Sequence, residues 1–469
     1  MGAGVSNWRL AQAVSSLGQL GVVSGTALDQ ILIRRLQDGD PGGHMLRALD
    51  AFPEEALAER LWRDFYIPGG KPAQSPYRVA PANAKDNAPD WIALCIVANF
   101  VEVFLAREGH NNPVGINYLE KIQAAHLPSI YGAMLAGVEY VIMGAGIPLK
   151  IPGVLDLLAN HQPASYALHV TGALPDDDTV MHFDPRDYIS GSPAPLFRPR
   201  FLPIVSSNTL ASTMLKKANG RVDGLVIETK TAGGHNAPPR GKLQLSETGE
   251  PIYGERDEID IPKLRELGVP FWLAGGYGRP EMLEQALAQG AAGVQVGTAF
   301  EFANESGLQA DYKQRLLAKA VAMDAHIFTD PLASPTGFPF KIAQLEGTAS
   351  DPNVVAERPR ICDLGFLREA YRADDGSIGY RCPAEPVSLY RAKGGDQADT
   401  VGRKCNCNGL LANIGFPQSR NGARTEPAVI TAGDDLPLIP LFLQPGKSSY
   451  SAADVVATLL QGVESLSAR

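Results

Sequence analysis

The stretch PFWLAGGYGRPEMLEQALAQGAAGVQVGTAF, residues 270–300, contains a complete strand–helix–strand unit. Two short apolar runs, Pro270–Gly276 and Gly293–Phe300, contain glycine near their ends, and Pro280–Gln289 between them has a helical pattern. Continuous apolar runs are typical of parallel strands that are buried on both faces. This unit therefore predicts a parallel α/β fold.

The same alternation continues toward the N-terminus, in five further apolar runs. Nearly every run ends in glycine or small polar residues. In a closed barrel such residues all face one mouth, whereas a doubly wound sheet collects them at one switch point. We therefore predict an α/β fold, a TIM (β/α)8 barrel with insertions and a C-terminal cysteine-containing extension. The five runs are Leu20–Ala27, Pro113–Leu119, Val138–Pro148, Phe201–Ser207 and Gly224–Lys230.

Seven runs leave one strand of the barrel unassigned. Residues 2–6 resemble the loop after a first strand, and Met1 leaves no room for that strand, so either the start is truncated or another segment closes the barrel. Leu94–Ala98 is a candidate for an additional strand. A chain of 469 residues also exceeds a single core of about 250–300 residues. We expect the barrel to cover residues 1–342, with insertions at about 40–90 and 163–200, and the extension to cover residues 343–469.

Charge and hydropathy exclude several classes of protein. The net charge is −9 and Lys and Arg are nowhere concentrated, which argues against a nucleic-acid partner. The longest apolar run, Trp91–Ala106, is interrupted by Asn99 and Glu102, whereas a membrane span needs about 20 nearly apolar residues. The N-terminus lacks the pattern of a signal peptide. We therefore expect a cytoplasmic protein without a membrane or nucleic-acid partner.

Two glycine pairs are candidates for a phosphate site. Gly275-Gly276 and Gly297-Thr298 end the last two apolar runs, one helix and one strand apart. Glycine lets backbone amides approach an anion closely, and the loops after strands 7 and 8 of TIM barrels frequently bind phosphate. The alternative is that these glycines only terminate strands.

A histidine on a glycine turn is the main catalytic candidate. His235 follows Gly233-Gly234 directly after the run Gly224–Lys230, so we expect it to point into the barrel mouth, where its near-neutral pKa suits proton transfer. Asn117, at the end of another run, either binds a planar ring or caps a turn. His169 and His182 lack such a context. Along the strand that carries Glu228 and Lys230, only one parity of side chains faces the barrel, and the pattern assigns neither residue.

These motifs resemble the nitronate monooxygenase family, formerly called 2-nitropropane dioxygenases. This family shares an FMN-binding TIM barrel with the FMN-dependent enoyl-acyl-carrier-protein reductases. The resemblance covers most of residues 1–340 outside the insertions. The matching segments are MGAGVSNWRLAQAVSSLGQLGVVSG (1–25), PVGINYL (113–119), GLVIETKTAGGHN (224–236) and PFWLAGGYGRPEMLEQALAQGAAGVQVGTAFEFANESG (270–307).

The resemblance implies a flavin site and roles for individual residues. His235 would be the catalytic residue above the flavin. The family's glutamate or glutamine before Ala-Gly-Gly-His is Thr231 here, so no role for that side chain is implied. The implied cofactor-binding residues are Gly2, Ala3, Gly4 and Asn117 at the isoalloxazine, Gly233 and Gly234 against the flavin, and Gly275, Gly276, Gly297 and Thr298 at the FMN phosphate.

The resemblance implies an FMN-dependent monooxygenase that oxidises alkyl nitronates or nitroalkanes with O₂ to a carbonyl compound and nitrite. One alternative is an NAD(P)H-dependent reductase of enoyl thioesters on acyl-carrier protein or CoA. We expect a small-molecule substrate, O₂ as co-substrate and a possible homodimer. Asn236–Gly241, with Arg240, is a candidate lid. Ser334–Phe340 either folds over the mouth or forms a simple turn.

Four of the five cysteines lie near the C-terminus: Cys362, Cys382, Cys405 and Cys407. Four thiolates can bind Zn²⁺ or an iron–sulfur cluster. A flavin and metal electron-relay or binding protein is therefore a second alternative function. However, no CxxC pair is present, and reduced structural thiols are the alternative explanation of the cluster.

Overall fold

The computed structural model of the chain describes residues 2–420 and 424–467. Within these residues the strands are β1 Gly21–Ser24, β2 Val114–Leu119, β3 Tyr140–Gly144, β4 Ala164–Ala167, β5 Val170–Thr171, β6 Val180–Phe183, β7 Arg200–Val205, β8 Leu225–Glu228, β9 Phe271–Ala274, β10 Gly293–Gln295, β11 Ile327–Asp330, β12 Phe340–Ala343, β13 Glu369–Arg372, β14 Ile378–Arg381, β15 Ser419–Arg420 and β16 Arg424–Thr425. The α-helices are α1 Trp8–Ser16, α2 Leu28–Gln37, α3 His44–Asp50, α4 Glu55–Phe65, α5 Pro89–Arg107, α6 His126–Leu135, α7 Ile151–Ala159, α8 Asn208–Lys217, α9 Ile261–Arg265, α10 Pro280–Ala288, α11 Thr298–Glu301, α12 Ala310–Val321, α13 Pro352–Glu357, α14 Val387–Ala392, α15 Asn406–Asn413 and α16 Ala452–Ser467.

A seven-stranded sheet, in the order β1-β2-β3-β7-β8-β9-β10, forms the centre of the molecule. All neighbouring strands pair in parallel. Each of the seven strands overlaps one of the seven apolar runs that the sequence predicts. The predicted α/β barrel class is therefore confirmed, as a curled parallel sheet flanked by helices.

An apolar cluster on the inner face of the sheet shows that the sheet is curled. Strands β1 and β9 lie far apart in the sheet order, yet each contributes a side chain to the same cluster. The cluster is buried because the curled sheet encloses it, while the opposite face of the sheet packs against the helices. Its buried members are Ile142, Leu202, Val226 and Ala274, and Val22 of β1 and Trp272 of β9 are among the side chains that pack against them.

The prediction of an additional strand at Leu94–Ala98 is wrong, because these residues lie within helix α5. An apolar run this short does not distinguish a buried strand from a buried helix. Helix α5 begins with Pro89 in its first turn, extends for 19 residues and is buried on all sides against α1, α2 and α6. By length and composition alone it would cross a membrane, but 78% of its apolar window is buried inside the protein.

Within the described part of the chain, no further strand pairs with the outer edges of β1 and β10. Residues 2–6 form a turn that leads into α1, with Ser24 donating its backbone N–H to the carbonyl of Ser6. On the outside of the sheet, α16 packs against both α1 and α10. The C-terminal helix thus joins the helices beside the two outer strands.

The two predicted insertions have different structures. In residues 40–90, α3 and α4 pack against α5. In residues 163–200, β4 pairs with β6, and β5 pairs in parallel with β13 of the C-terminal region.

The C-terminal region shares hydrophobic clusters with the rest of the chain. Ile430, Leu436 and Val455 lie in one cluster with Leu283 of α10 and Leu316 of α12. The division of the chain at residues 342 and 343 stays a prediction.

Candidate functional site

A large cavity, with a volume of about 690 Å³, lies at the carboxyl ends of the parallel strands. Ligand sites of α/β barrels lie at this end, because all the strand-to-helix loops meet there. The volume is within the range of about 300–1,000 Å³ that is usual for ligand pockets. Residues from five strands of the parallel sheet line it: Asn117 of β2, Gly144 of β3, Val205 of β7, Glu228 of β8 and Gln295 of β10.

A smaller cavity of about 120 Å³ adjoins the first. The two share lining residues, among them Glu228 and Thr431. The residues predicted for the flavin ring line the large cavity: Gly2, Ala3, Asn117, Gly233, Gly234 and His235. The residues predicted for the phosphate line the small one: Gly275, Gly276, Gly297 and Thr298.

Gly4 is the one predicted cofactor residue outside both cavity walls. Its φ is +64°, and a Cβ atom there would lie 2.5 Å from a side-chain carbon of Ile414. The turn before α1 therefore requires glycine for backbone conformation and packing. These contacts explain Gly4 without a ligand.

Glycine backbone lines much of the small cavity, which we call the glycine cradle. Gly275 and Gly276 have φ values of +86° and +74°, a conformation that side-chain-bearing residues rarely adopt. A Cβ at Gly234 or Gly297 would meet open space. The hydroxyl of Thr431 is buried and has no hydrogen-bond partner in the described residues. Backbone amides and a partnerless hydroxyl thus surround space that a polar ligand group fits.

A C-terminal segment, residues 431–435, forms part of this cradle. Gly433 donates its N–H to Thr298 Oγ1 at 2.9 Å, and Asp434 donates its N–H to the carbonyl of Thr231 at 3.0 Å. The buried Lys341 holds the segment through Asp434, with Nζ 2.7 Å from Oδ1. No motif in residues 431–435 indicated this position, since it depends on contacts between residues 93 or more positions apart in the chain.

His235 lines the large cavity, and residues later in the chain hold its side chain in place. Its Nε2 lies 2.7 Å from Ser334 Oγ, which lies 2.8 Å from Thr336 Oγ1. A backbone bridge to Phe340 fixes the turn, and the two rings are 4.7 Å apart. Burial lowers the pKa of His235 to about 3, so its imidazole is neutral near pH 7.

The segment Ser334–Phe340 therefore contributes to the pocket. Phe338 and Phe340 both line the large cavity, while Ser334 orients the histidine. Arg240 of the predicted lid also lines the cavity, and its side chain is exposed. The lid function of Asn236–Gly241 stays a prediction.

The sequence analysis did not decide whether the side chain of Glu228 faces the barrel interior. It ends β8 and lines both cavities, and burial raises the pKa of its carboxyl to about 7. Lys230 instead lies at the surface, with Nζ 2.9 Å from Glu258 Oε1. Thr231, where the family has glutamate or glutamine, bonds to Thr229 between their hydroxyls at 2.7 Å. Strand alternation could not separate Glu228 from Lys230, because side chains two residues apart on a strand point to the same face. Lys230 lies beyond the end of β8, so its direction depends on the loop that follows.

The structure does not support the predicted metal site at the four cysteines. Among the described residues, no group of three or more His, Cys, Asp or Glu side chains is placed to hold a metal ion. The thiols of Cys362 and Cys382 hydrogen-bond to each other, which lowers the pKa of Cys362. Cys407 lines the large cavity, whereas Cys405 lines a different one. Residues two apart at a helix start point in different directions, so the CxC spacing does not converge on one ion.

Fold and cavity together define a class: an α/β barrel-type protein with a large cavity at the carboxyl ends of its strands. Residues 200–333 match the model of the nitronate monooxygenase family. The resemblance inferred from the motifs is therefore confirmed, and the matched range includes His235 and both glycine pairs.

Two sequence relatives resemble the chain over part of its length. The chain is 28% identical to a nitronate monooxygenase of Pseudomonas aeruginosa over 225 residues, which are 48% of this chain and 56% of that protein. It is 34% identical to a probable nitronate monooxygenase of Bacillus subtilis over 115 residues, 24% of this chain and 31% of that protein. A solved nitroalkane oxidase from Streptomyces ansochromogenes is 15% identical, with a TM-score of 0.45 over 100% of this chain and 95% of its own. The chain thus spans about half the length of the first relative and about a third of the second.

Proposed function

We propose that this protein is an FMN-dependent oxidoreductase, and specifically a monooxygenase that converts alkyl nitronates or nitroalkanes and O₂ into a carbonyl compound and nitrite. The observation that carries the proposal is the neutral His235 on the wall of a cavity that continues into a glycine cradle. The family match over residues 200–333 supports the same reaction class.

The residues present fit FMN. The large cavity has the volume for a flavin ring system and mixes apolar walls with amide and hydroxyl groups. The small cavity has open space at Gly297, backbone amides from the glycine turns and the partnerless Thr431 hydroxyl, which suit a phosphate group. When bound, FMN would supply the electron transfer between substrate and O₂.

One feature of the small cavity opposes a phosphate dianion, namely three carboxyl groups in its wall: Glu228, Glu301 and Asp435. Burial raises the pKa of Glu301 to about 8, so this side chain is uncharged near pH 7. Burial also raises the pKa of Asp435, whose Oδ2 accepts the N–H of Gly278 at 3.4 Å. These shifts reduce the negative charge that a phosphate would meet.

The neutral imidazole of His235 can serve the substrate in two ways. Ser334 occupies Nε2, which leaves Nδ1 as the nitrogen for a substrate. If Ser334 donates to Nε2, the proton sits on Nδ1, which then donates a hydrogen bond to a nitronate oxygen. If Nε2 donates to Ser334, Nδ1 accepts a proton from the carbon of a neutral nitroalkane.

The apolar rings beside His235 limit access of water. Phe338 and Phe340 line the same cavity, and an apolar wall strengthens a hydrogen bond between the imidazole and an anionic substrate. Arg240, at the exposed side of the cavity, is the cation available to attract that anion.

The test is to saturate the purified protein with FMN and add the nitronate of a simple nitroalkane in air. We expect O₂ consumption with nitrite formed in proportion. A protein that takes up no FMN, or that holds FMN and releases no nitrite, would overturn the proposal. Rapid bleaching of the flavin by NAD(P)H without any nitro compound would instead favour the enoyl-thioester reductase.

A further inference from the structure

A third cavity, of about 190 Å³, lies in the C-terminal region and shares no lining residue with the two cavities above. Four cationic side chains and a single carboxylate line it. The chain as a whole carries a net charge of −9, so this concentration of positive charge runs against the overall composition. The lining cations are Arg358, Arg360, Arg403 and Lys404, and the carboxylate is Glu426.

Backbone carbonyls hold two of the arginines in place. Arg360 donates to the carbonyl oxygens of Glu385 at 3.0 Å and Thr400 at 3.1 Å. Arg403 donates to the carbonyls of Leu332 at 2.8 Å and Ser334 at 2.6 Å. Carbonyl oxygens orient a guanidinium but leave its positive charge uncompensated.

The one lining carboxylate is already paired. Glu426 accepts hydrogen bonds from Arg358 at 2.5 Å and from Arg420, outside the cavity wall, at 2.6 Å. The negative charge of Glu426 is therefore shared between two arginines. It offsets at most one of the cations.

Lys404 is the cation with the fewest contacts. Its backbone N–H bonds to the carbonyl of Ala333, but its side-chain ammonium has no hydrogen bond or ion pair among the described residues. Burial lowers the pKa of Lys404, and the charge of Asp330 opposes that shift. The carboxylate of Asp330 is itself bonded to the backbone amides of Leu332 and Ala333.

We propose that this cavity binds a small tetrahedral oxyanion, namely phosphate, either free or as the terminal group of a small metabolite. Guanidinium groups held in a fixed orientation match phosphate oxygens, and an unpaired ammonium adds a point charge. The volume admits an anion of this size and excludes a nucleotide. The site is separate from the proposed flavin site and does not depend on the proposed reaction.

The test is calorimetric titration of the FMN-saturated protein with inorganic phosphate, at ionic strength held constant with chloride. We expect one saturable phosphate per chain. Lys404→Met should weaken binding about tenfold, the effect of losing one charge-assisted hydrogen bond, and Lys404→Arg should restore most of it. Lys447→Met, at an exposed lysine outside the cavity, should bind like the wild type.

A second titration with glycerol 3-phosphate distinguishes the two sources of the anion. Tighter binding than that of phosphate assigns the cavity to a phosphorylated metabolite, and weaker binding assigns it to the free ion. Absence of saturable binding of either probe would overturn the proposal. So would wild-type affinity in Lys404→Met, once unchanged thermal unfolding shows that this variant is folded.

Discussion

His235 Nε2 lies 2.7 Å from Ser334 Oγ, although 99 residues separate the two in the chain. The serine is fully buried, and its hydroxyl also contacts Thr336, so it has a fixed position. Ser334 therefore sets which nitrogen of the imidazole faces the cavity. In the proposed mechanism, Ser334 is therefore a positioning residue for His235, although it lies far from the glycine motif in the chain.

Substitution of His235 and substitution of Ser334 should lower turnover by different amounts. His235→Ala should retain FMN but lose about 10²-fold or more in kcat, because the hydrogen-bonding and proton-accepting group is gone. Ser334→Ala should lose about tenfold, since the imidazole stays but its orientation is free. Nitrite release under saturating nitronate measures both. His182→Ala, at an exposed position of β6, is the control, and full activity in His235→Ala would contradict the assignment.

A side chain on the glycine cradle should impair FMN binding. In Gly276→Ala the new Cβ would lie 3.2 Å from Thr231 Oγ1, at a φ of +74°. We expect about tenfold weaker FMN binding, equal to ~1.4 kcal/mol, in a fluorescence-quenching titration. Gly268→Ala is a matched control, because it imposes similar strain at a φ of +71° with no atom within 4 Å. Equal FMN affinity in both variants would show that Gly276 is not part of the phosphate site.

Glu301 should make folding stability depend on pH. Burial raises the pKa of its carboxyl from 4.5 to about 8, so the folded state binds this proton more tightly than the unfolded state. The contribution of this bound proton to the free energy of unfolding is complete below pH 4.5 and is lost as pH rises through about 8. Its size is ~1.4 kcal/mol per unit of pKa difference between the folded and unfolded states. Denaturant unfolding without FMN should show a smaller loss between pH 5 and 8 in Glu301→Gln than in the wild type. The exposed Glu346→Gln should keep the wild-type slope, and a wild-type slope in Glu301→Gln would refute the prediction.

The contact between Lys341 and Asp434 should support both stability and cofactor binding. Lys341 Nζ bonds to Asp434 and to Thr329, at 2.7 and 2.8 Å, and so ties residues 431–435 to β12. Lys341→Met should lower the free energy of unfolding by about 2 kcal/mol and weaken FMN binding. Asp434→Asn should act in the same direction with a smaller effect. Lys216→Met, at an exposed lysine, serves as the control; if Lys341→Met lowers stability yet binds FMN normally, the segment has no role in the cradle.

Local sequence patterns predicted the sheet well and the cavity walls in part. All seven parallel strands were recognisable, because a strand buried on both faces must be apolar throughout. Leu94–Ala98 was mistaken for a strand for the same reason, since a fully buried helix is apolar as well. The glycine pairs and His235 were recognisable because they stand at strand ends, where the chain must turn.

Contacts between distant segments were not predictable in this way. Ser334 at His235, Gly433 at Thr298 and Lys404 in the third cavity all lie in the part of the chain that follows the parallel sheet. Their residue types are common in loops, so no local pattern separates them from ordinary turn residues. The cysteine cluster gave a misleading signal, because spacing along the chain does not show whether thiols converge.

The sequence by itself determined the class of fold, the end of the sheet that carries the site, and the glycine and histidine motifs there. These features follow from local requirements: burial on both faces of a strand, and backbone conformations that glycine adopts. Only the tertiary structure decided that Glu228 rather than Lys230 faces the cavity, that Ser334 holds His235, and that residues 431–435 complete the cradle. Each of these depends on which surfaces pack together, and packing is a property of the folded chain as a whole.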